Sequence, residues 1–195
     1  DIEGNETKLN DYDTGNPVVA MYIENYGSVV MELYPDVAPN TVNNFISLVK
    51  SGFYDNNTFH RLVPGFVLQG GDPDGTGTGG PGYSIKGEFT NNGFENNLKH
   101  TKGVISMART NNVNSASSQF FLCVDNCSHL DKQYAGFGKI VEIIEKSQAR
   151  QDVDCNTYKR CGGCNLRHVK YEETLKMKQN AVQSLVNKTL KNKLQ

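Results

Sequence analysis

From about residue 17 to residue 142 the chain repeats one pattern: short apolar runs, each closed by Gly, Asn, Asp or Pro. Runs that short, rich in Val, Ile, Phe and Tyr, read as strands. The pattern predicts strands over 17–23, 28–34, 58–62, 66–69, 103–108, 119–124 and 136–141. The first two flank the turn Asn25-Tyr26-Gly27 and pair as a hairpin. Residues 39–52 break the rule. There Val42, Phe45, Ile46 and Val49 recur at helical spacing, Asn40 or Thr41 is expected to cap the helix, and Gly52 stops it. A second helix is expected to start over 143–150. Short strands, Gly-rich turns and one early helix predict a mainly β fold: a closed antiparallel barrel with a helix capping one end.

Composition changes this picture at the two ends. Residues 1–16 carry almost no large apolar side chain and are expected to form an acidic, disordered leader. Net charge is −1, but it is unevenly spread. Residues 1–150 hold 11 Lys/Arg against 17 Asp/Glu, whereas residues 151–195 hold 9 against 4. The organisation expected is therefore a leader (1–16), one barrel domain (17–150) and a basic, Cys-containing helical tail (151–195). No apolar run approaches the ~18 residues needed to cross a membrane. The cysteines number five, with three crowded near the end, which does not look like a secreted disulfide framework. A cytoplasmic location is the expectation. Since the chain opens on Asp1, an export signal upstream stays open.

Two motifs invite chemistry. Gly75-Thr76-Gly77-Thr78-Gly79-Gly80 matches the dinucleotide fingerprint literally. Asp72-Pro73-Asp74 precedes it where a strand should end, and Pro81-Gly82 follows where a helix should begin, so a loop of positive-φ glycines is the better reading. The second motif is Phe59-His60-Arg61-Leu62-Val63-Pro64-Gly65-Phe66-Val67-Leu68-Gln69-Gly70-Gly71-Asp72. It holds an aromatic, a guanidinium and a neutral amide around an apolar centre, a set suited to binding a neutral polar group beside an apolar one. His60 is expected to make a structural hydrogen bond and not to act as an acid or base.

In its order Phe-His-Arg-x-x-Pro-Gly-Phe-x-x-Gln-Gly-Gly-Asp, that run resembles the signature of the cyclophilins, the peptidyl-prolyl cis-trans isomerases. The segments 39–45, 99–108 and 118–121 are similar to the family as well, and the resemblance covers about residues 17–142. It implies an eight-stranded barrel closed by two helices. It places the catalytic arginine at Arg61, with Phe66 and Gln69 completing the catalytic set. Phe66, Val67, Phe121 and Leu130 would hold the proline ring. Gln69, Ala108, Arg109 and Gln119 would contact the peptide backbone, with Gly77 and Thr110 bordering the next pocket. His129 and Tyr134 fall at the rim, where the family often has Trp and His, and Val67 stands where Met is common. The partners implied are proline-containing peptides and unfolded chains. A cyclosporin-type ligand is expected to bind more weakly because of His129. No cofactor or metal is implied, nucleic acid is not expected, and the expected state is a monomer. The other function class in view is a binding module that holds proline peptides without useful turnover.

The tail departs from the family. After Glu142 a helix and a last strand should follow, and that strand is not found, so the barrel is expected to lack it. Instead Cys155-x5-Cys161-Gly162-Gly163-Cys164 resembles the iron–sulfur segment of RNA uracil-5-methyltransferases, continued by residues 171–178. Only three thiolates are present where a [4Fe–4S] cluster usually takes four. A fused or misjoined fragment is the favoured reading, and a zinc site of three Cys with His168 is the alternative. Val182, Leu185, Val186 and Leu190 predict an amphipathic helix over about 171–194.

Overall fold

The computed structural model describes residues 15–24, 26–144, 169–176 and 179. The chain divides into two compact units, one of residues 1–21 and 28–144, the other of residues 22–27 and 145–195. In the second, the described residues 171–176 are helical, and Lys176 pairs with Glu173 at 2.7 Å. The leader up to residue 14, Cys155, Cys161, Cys164, His168 and most of the expected tail helix lie outside the described residues.

The alternating runs form strands β1 (Val18–Ile23), β2 (Gly27–Leu33), β3 (Arg61–Val63), β4 (Val67–Gly70), β5 (Val104–Met107), β6 (Phe120–Cys123) and β7 (Gly136–Ile143). They make one seven-stranded sheet in the order β1-β2-β7-β5-β6-β4-β3. The β2–β7, β5–β7, β5–β6, β4–β6 and β3–β4 pairings are antiparallel. Among the described residues the expected closed eight-stranded barrel is thus a seven-stranded sheet with β1 and β3 at its edges. Ile143, expected to open a second helix, is instead the last residue of β7 and pairs with Val29. The alternation of β7 continues past Val141 because β2 offers it hydrogen-bonding partners over that length. Gly138 sits opposite Leu33 in this ladder, and a side chain there would drive its Cβ to within 2.5 Å of the Glu32 carbonyl oxygen.

The early helix, α1, spans Pro39–Lys50 and buries Thr41, Val42, Phe45 and Leu48. Pro39 fits the first turn, where its missing N–H is no loss. The expected cap is not made by Asn40 or Thr41. Ala38 is the N-cap residue and has no side chain to bond the free N–H groups. The acceptor comes from far along the chain: the buried carboxylate of Glu88 takes hydrogen bonds from Asn40 N (3.0 Å), Thr41 N (2.8 Å) and Thr41 Oγ1 (2.7 Å). An anion at a helix N-terminus also meets the positive end of the helix dipole. The main core packs α1 against one sheet face through Met31, Leu33, Phe45, Ile105, Phe120 and Phe137. Phe45 is its hub, with Phe137 at 5.2 Å and Phe120 edge-on at 5.6 Å.

Candidate functional site

Strand pairing builds the site before any side chain is considered. Across β3, β4 and β6, Arg61 lies opposite Gln69, and Gln69 lies opposite Phe121. One strand further, Phe121 lies opposite Ser106 of β5. Directly opposed residues share a face, so Arg61, Gln69, Phe121 and Ser106 form one row across the sheet. Val67 and Cys123 form the next row on that face, two residues along each strand. The intervening residues Leu68, Leu122 and Phe120 point the other way, into or against the main core.

Above these rows lies a cleft of about 220 Å³ lined by Arg61, Phe66, Val67, Gln69, Ala108, Arg109, Phe121, Leu130 and Tyr134. Drug-sized ligands occupy pockets of roughly 300–1,000 Å³, so this one suits a single small residue of a peptide. Phe121 meets Tyr134 edge-on at 5.7 Å, and His129 stacks on Phe66 at 5.1 Å. A chain of amides positions the cation. Arg61 Nη1 donates to Gln69 Oε1 at 3.3 Å, Gln69 Nε2 donates to Gln119 Oε1 at 3.0 Å, and Gln119 Nε2 donates to the Gly79 carbonyl at 3.0 Å.

All nine lining residues are among the thirteen named from the sequence. The other four stand around the cleft. Gln119 steadies Gln69, exposed His129 covers Phe66, Thr110 Oγ1 bonds Ser115 Oγ at 2.8 Å, and Gly77 lies in the glycine loop. That loop does not cradle a phosphate. It wraps a buried carboxylate: Asp72 accepts from the backbone N–H groups of Asp74, Gly77 and Gly79. Gly77 reaches its position at φ of 90°, and Gly75, which donates to the Asp72 backbone carbonyl, turns the chain at φ of 63°, conformations that side chains disfavour. Burial alone would raise the pKa of Asp72, but the three N–H donors more than offset it and hold the group below the usual carboxylate value. His60 does not make its expected hydrogen bond: neither ring nitrogen has a partner among the described residues.

Sequence reasoning missed the polar backing of the Phe121 wall. His100 is buried and stacks under Phe121 at 6.1 Å. Its Nδ1 faces Asp131 Oδ1 at 3.2 Å and its Nε2 faces Ser106 Oγ at 3.0 Å. Burial lowers the pKa of His100 against the opposing pull of Asp131, which favours a neutral ring that donates from Nδ1 and accepts at Nε2. Asp131 would be raised by burial, but bonds from His100 and Lys99 outweigh this and lower it. The only local signal was that His100 and Asp131 each fall within a segment already marked, and no spacing joins them. The support of Arg109 was missed as well. Its guanidinium lies over Tyr134 at 4.5 Å and over Phe89 at 5.2 Å.

The family profile described as cyclophilin type peptidyl-prolyl cis-trans isomerase/CLD matches residues 18–164. Peptidyl-prolyl cis-trans isomerase B of Bacillus subtilis is 44% identical over 133 residues, covering 67% of this chain and 90% of that protein. A Helicobacter pylori peptidyl-prolyl cis-trans isomerase is 48% identical over 116 residues, 60% of this chain and 68% of that one. The chain spans only 23% of the Arabidopsis thaliana relative CYP57, at 44% identity. Among solved structures, a Cryptosporidium parvum cyclophilin type isomerase, crystallised in the presence of the dipeptide Ala-Pro, superposes with a TM-score of 0.60 at 32% identity. That match covers 70% of this chain and 88% of the other.

Proposed function

This chain belongs to the cyclophilin-type peptidyl-prolyl cis-trans isomerase family, and we propose that it accelerates rotation about exposed X–Pro bonds of peptides and folding proteins at the cleft under Arg61. The observation that carries the reading is the cross-strand row Arg61–Gln69–Phe121, which sets a cation and an apolar floor side by side. None of the nine lining residues is an Asp, Glu, Ser, Cys or His. What the cleft offers is position and charge.

Those suit the reaction. Rotation about a peptide bond breaks amide resonance over a barrier of ~18–20 kcal/mol. Uncatalysed X–Pro exchange takes on the order of tens to hundreds of seconds. In the twisted state the prolyl nitrogen pyramidalises and regains a basic lone pair. Phe66, Val67, Phe121 and Leu130 hold the ring, and Arg61, oriented by Gln69 and Gln119, donates to that nitrogen or steadies the adjacent carbonyl. This interaction is stronger in the twisted state than in either planar state, which is the condition for lowering the barrier. The route runs without a cofactor or covalent intermediate, and Cys155, Cys161 and Cys164 take no part in it. The Ala-Pro dipeptide present with the Cryptosporidium parvum isomerase supports proline peptides as the substrate class. His129 on Phe66 narrows the rim where a cyclosporin-type ligand would lie. The reading includes a monomer in a reducing compartment.

The test is cis–trans exchange of a proline peptide, followed by magnetisation-transfer NMR. The full chain should accelerate it, and Arg61→Ala should lower kcat/KM by about 10²–10³, the scale found when one preorganised donor is removed. Thermal unfolding should stay cooperative, because the Arg61 side chain is exposed and, among the described residues, bonds only Gln69. Equal rates for the two proteins would end the mechanism. Peptide binding without acceleration would make the chain a binding module.

A further inference from the structure

The cleft carries more positive charge than rotation of one amide needs. Its lining holds two guanidiniums, Arg61 and Arg109, and no carboxylate. Neither arginine belongs to an ion pair among the described residues, where the pairs are Lys99–Asp131, His100–Asp131 and Lys176–Glu173. Asp131 is therefore already engaged on the far side of Phe121.

The two cations are held differently. Arg61 is exposed and has one long bond to Gln69. Arg109 is clamped. Its Nε and Nη2 donate to the Gln133 carbonyl at 3.2 and 3.0 Å, its Nη1 donates to the Thr110 carbonyl at 2.9 Å, and its plane lies over Tyr134 and Phe89. All of these partners are neutral, so the full charge remains. A guanidinium has five N–H donors, and these bonds leave at least one of them for a ligand. Fixing the side chain in the fold removes the ordering cost that a loose cation meets when it binds.

We propose that Arg109 makes the enzyme selective for X–Pro substrates bearing an acidic side chain within two residues of the proline. The inference rests on the isomerase reading and adds the substrate class. Arg109 shares with Arg61 a cleft of about 220 Å³, so its charge falls within reach of side chains that flank a bound proline. Half-enclosed by aromatic walls, that charge is less screened than one on an open surface. The plainer role, a staple holding the Tyr134 wall, would weaken all substrates alike and discriminate no charge.

The test uses the full chain and two peptide series, with Glu, Gln or Lys either just before or just after the proline. The readout is kcat/KM for exchange in about 20 mM and about 500 mM NaCl, which span weak and strong screening. In at least one series Glu should exceed Lys by about tenfold at low salt, equivalent to ~1.4 kcal/mol, and the gap should shrink at high salt. Arg109→Gln should bring the Glu/Lys ratio towards one, whereas Arg109→Lys should keep most of it. The ratio is read within each protein, so a general loss of rate does not mask it. Equal rates for Glu and Lys in both series, or an unchanged ratio in Arg109→Gln, would overturn the proposal. If Arg109→Gln does not fold, the parent's salt dependence and Arg109→Lys decide. If a neutral Ala-Pro peptide shows no exchange, the isomerase reading fails, and the relative affinities of the Glu and Lys peptides still decide this one.

Discussion

Phe120 and Phe121 are chemically identical neighbours in β6, yet they serve two different regions. Phe120 faces the main core, edge-on to Phe45 at 5.6 Å, Tyr54 at 5.7 Å and Phe59 at 6.2 Å. Phe121 faces the cleft, with Tyr134 on one side and His100 beneath. The core face is mainly apolar packed on apolar, and its central rings Phe45, Phe120 and Phe137 are buried. The cleft face is an apolar surface kept concave by polar supports: His100, Ser106 and Asp131 behind Phe121, and Gln69 and Gln119 beside it. A wall that must stay open cannot be held by close packing from the front. Directional bonds from behind can hold it.

The comparison breaks most visibly at those two rings. Phe120→Ala should cost ~3–5 kcal/mol of stability by urea unfolding, the range for a buried ring with no room to collapse around the cavity. Phe121 is buried almost as deeply, so Phe121→Ala should cost a comparable amount, but unlike Phe120→Ala it should also lower exchange per folded molecule by about tenfold or more through loss of the ring-holding floor. Unchanged exchange per folded molecule in Phe121→Ala would abolish the distinction between the faces.

A smaller effect is expected at Glu88, which supports the core side alone. Glu88→Gln keeps the shape, but its –NH2 replaces one carboxylate oxygen, so at least one of the three donors loses its acceptor. The stability cost should be ~2 kcal/mol, with the exchange rate per folded molecule within about twofold of the parent. A fall in exchange beyond the loss of folded protein would show that α1 reaches the site.

The smallest effect concerns the polar backing. Burial holds His100 below its ordinary pKa of 6.5, so the unfolded chain binds a proton that the native state resists. Stability from this group is complete above pH 6.5 and is lost as pH falls from there towards the lower native value. Asp72 and Asp131, both held below 3.8, give their own losses only at more acid pH. The urea midpoint of the parent should therefore fall between pH 7 and 5, and His100→Gln should show a shallower fall. Parallel slopes for the two proteins would remove His100 from the account.

Four of the nine lining residues were readable together because they fall in one run whose order resembles the family signature, and the other five, from Ala108 to Tyr134, were named through that resemblance alone. Arg61, Phe66, Val67 and Gln69 lie within nine consecutive positions, and the pairing of β3 with β4 follows from the short turn between them. The alternation also marked each strand to within a few residues, since the two-residue period is a local property of the backbone. The dinucleotide-like glycines were rightly read as a loop, though nothing local foretold that Asp72 would be its centre.

Residue types by themselves determined the strands, the early helix, the cation and amide near the turn, and the apolar residues available for a floor. Tertiary structure alone decided which partners they met. Glu88 replaced the expected helix cap from 47 residues away in sequence, and Asp131 reached His100 across 31. Ser106 came opposite Phe121, and Phe89 and Tyr134 came under Arg109. Each of these meetings depends on strand register and on how loops cross the sheet. Register is chosen by the summed burial of a whole face, because a slip of one residue would turn every apolar side chain outward. A local window of sequence holds only one of the two partners, and the energy that joins them exists only once the whole sheet has formed.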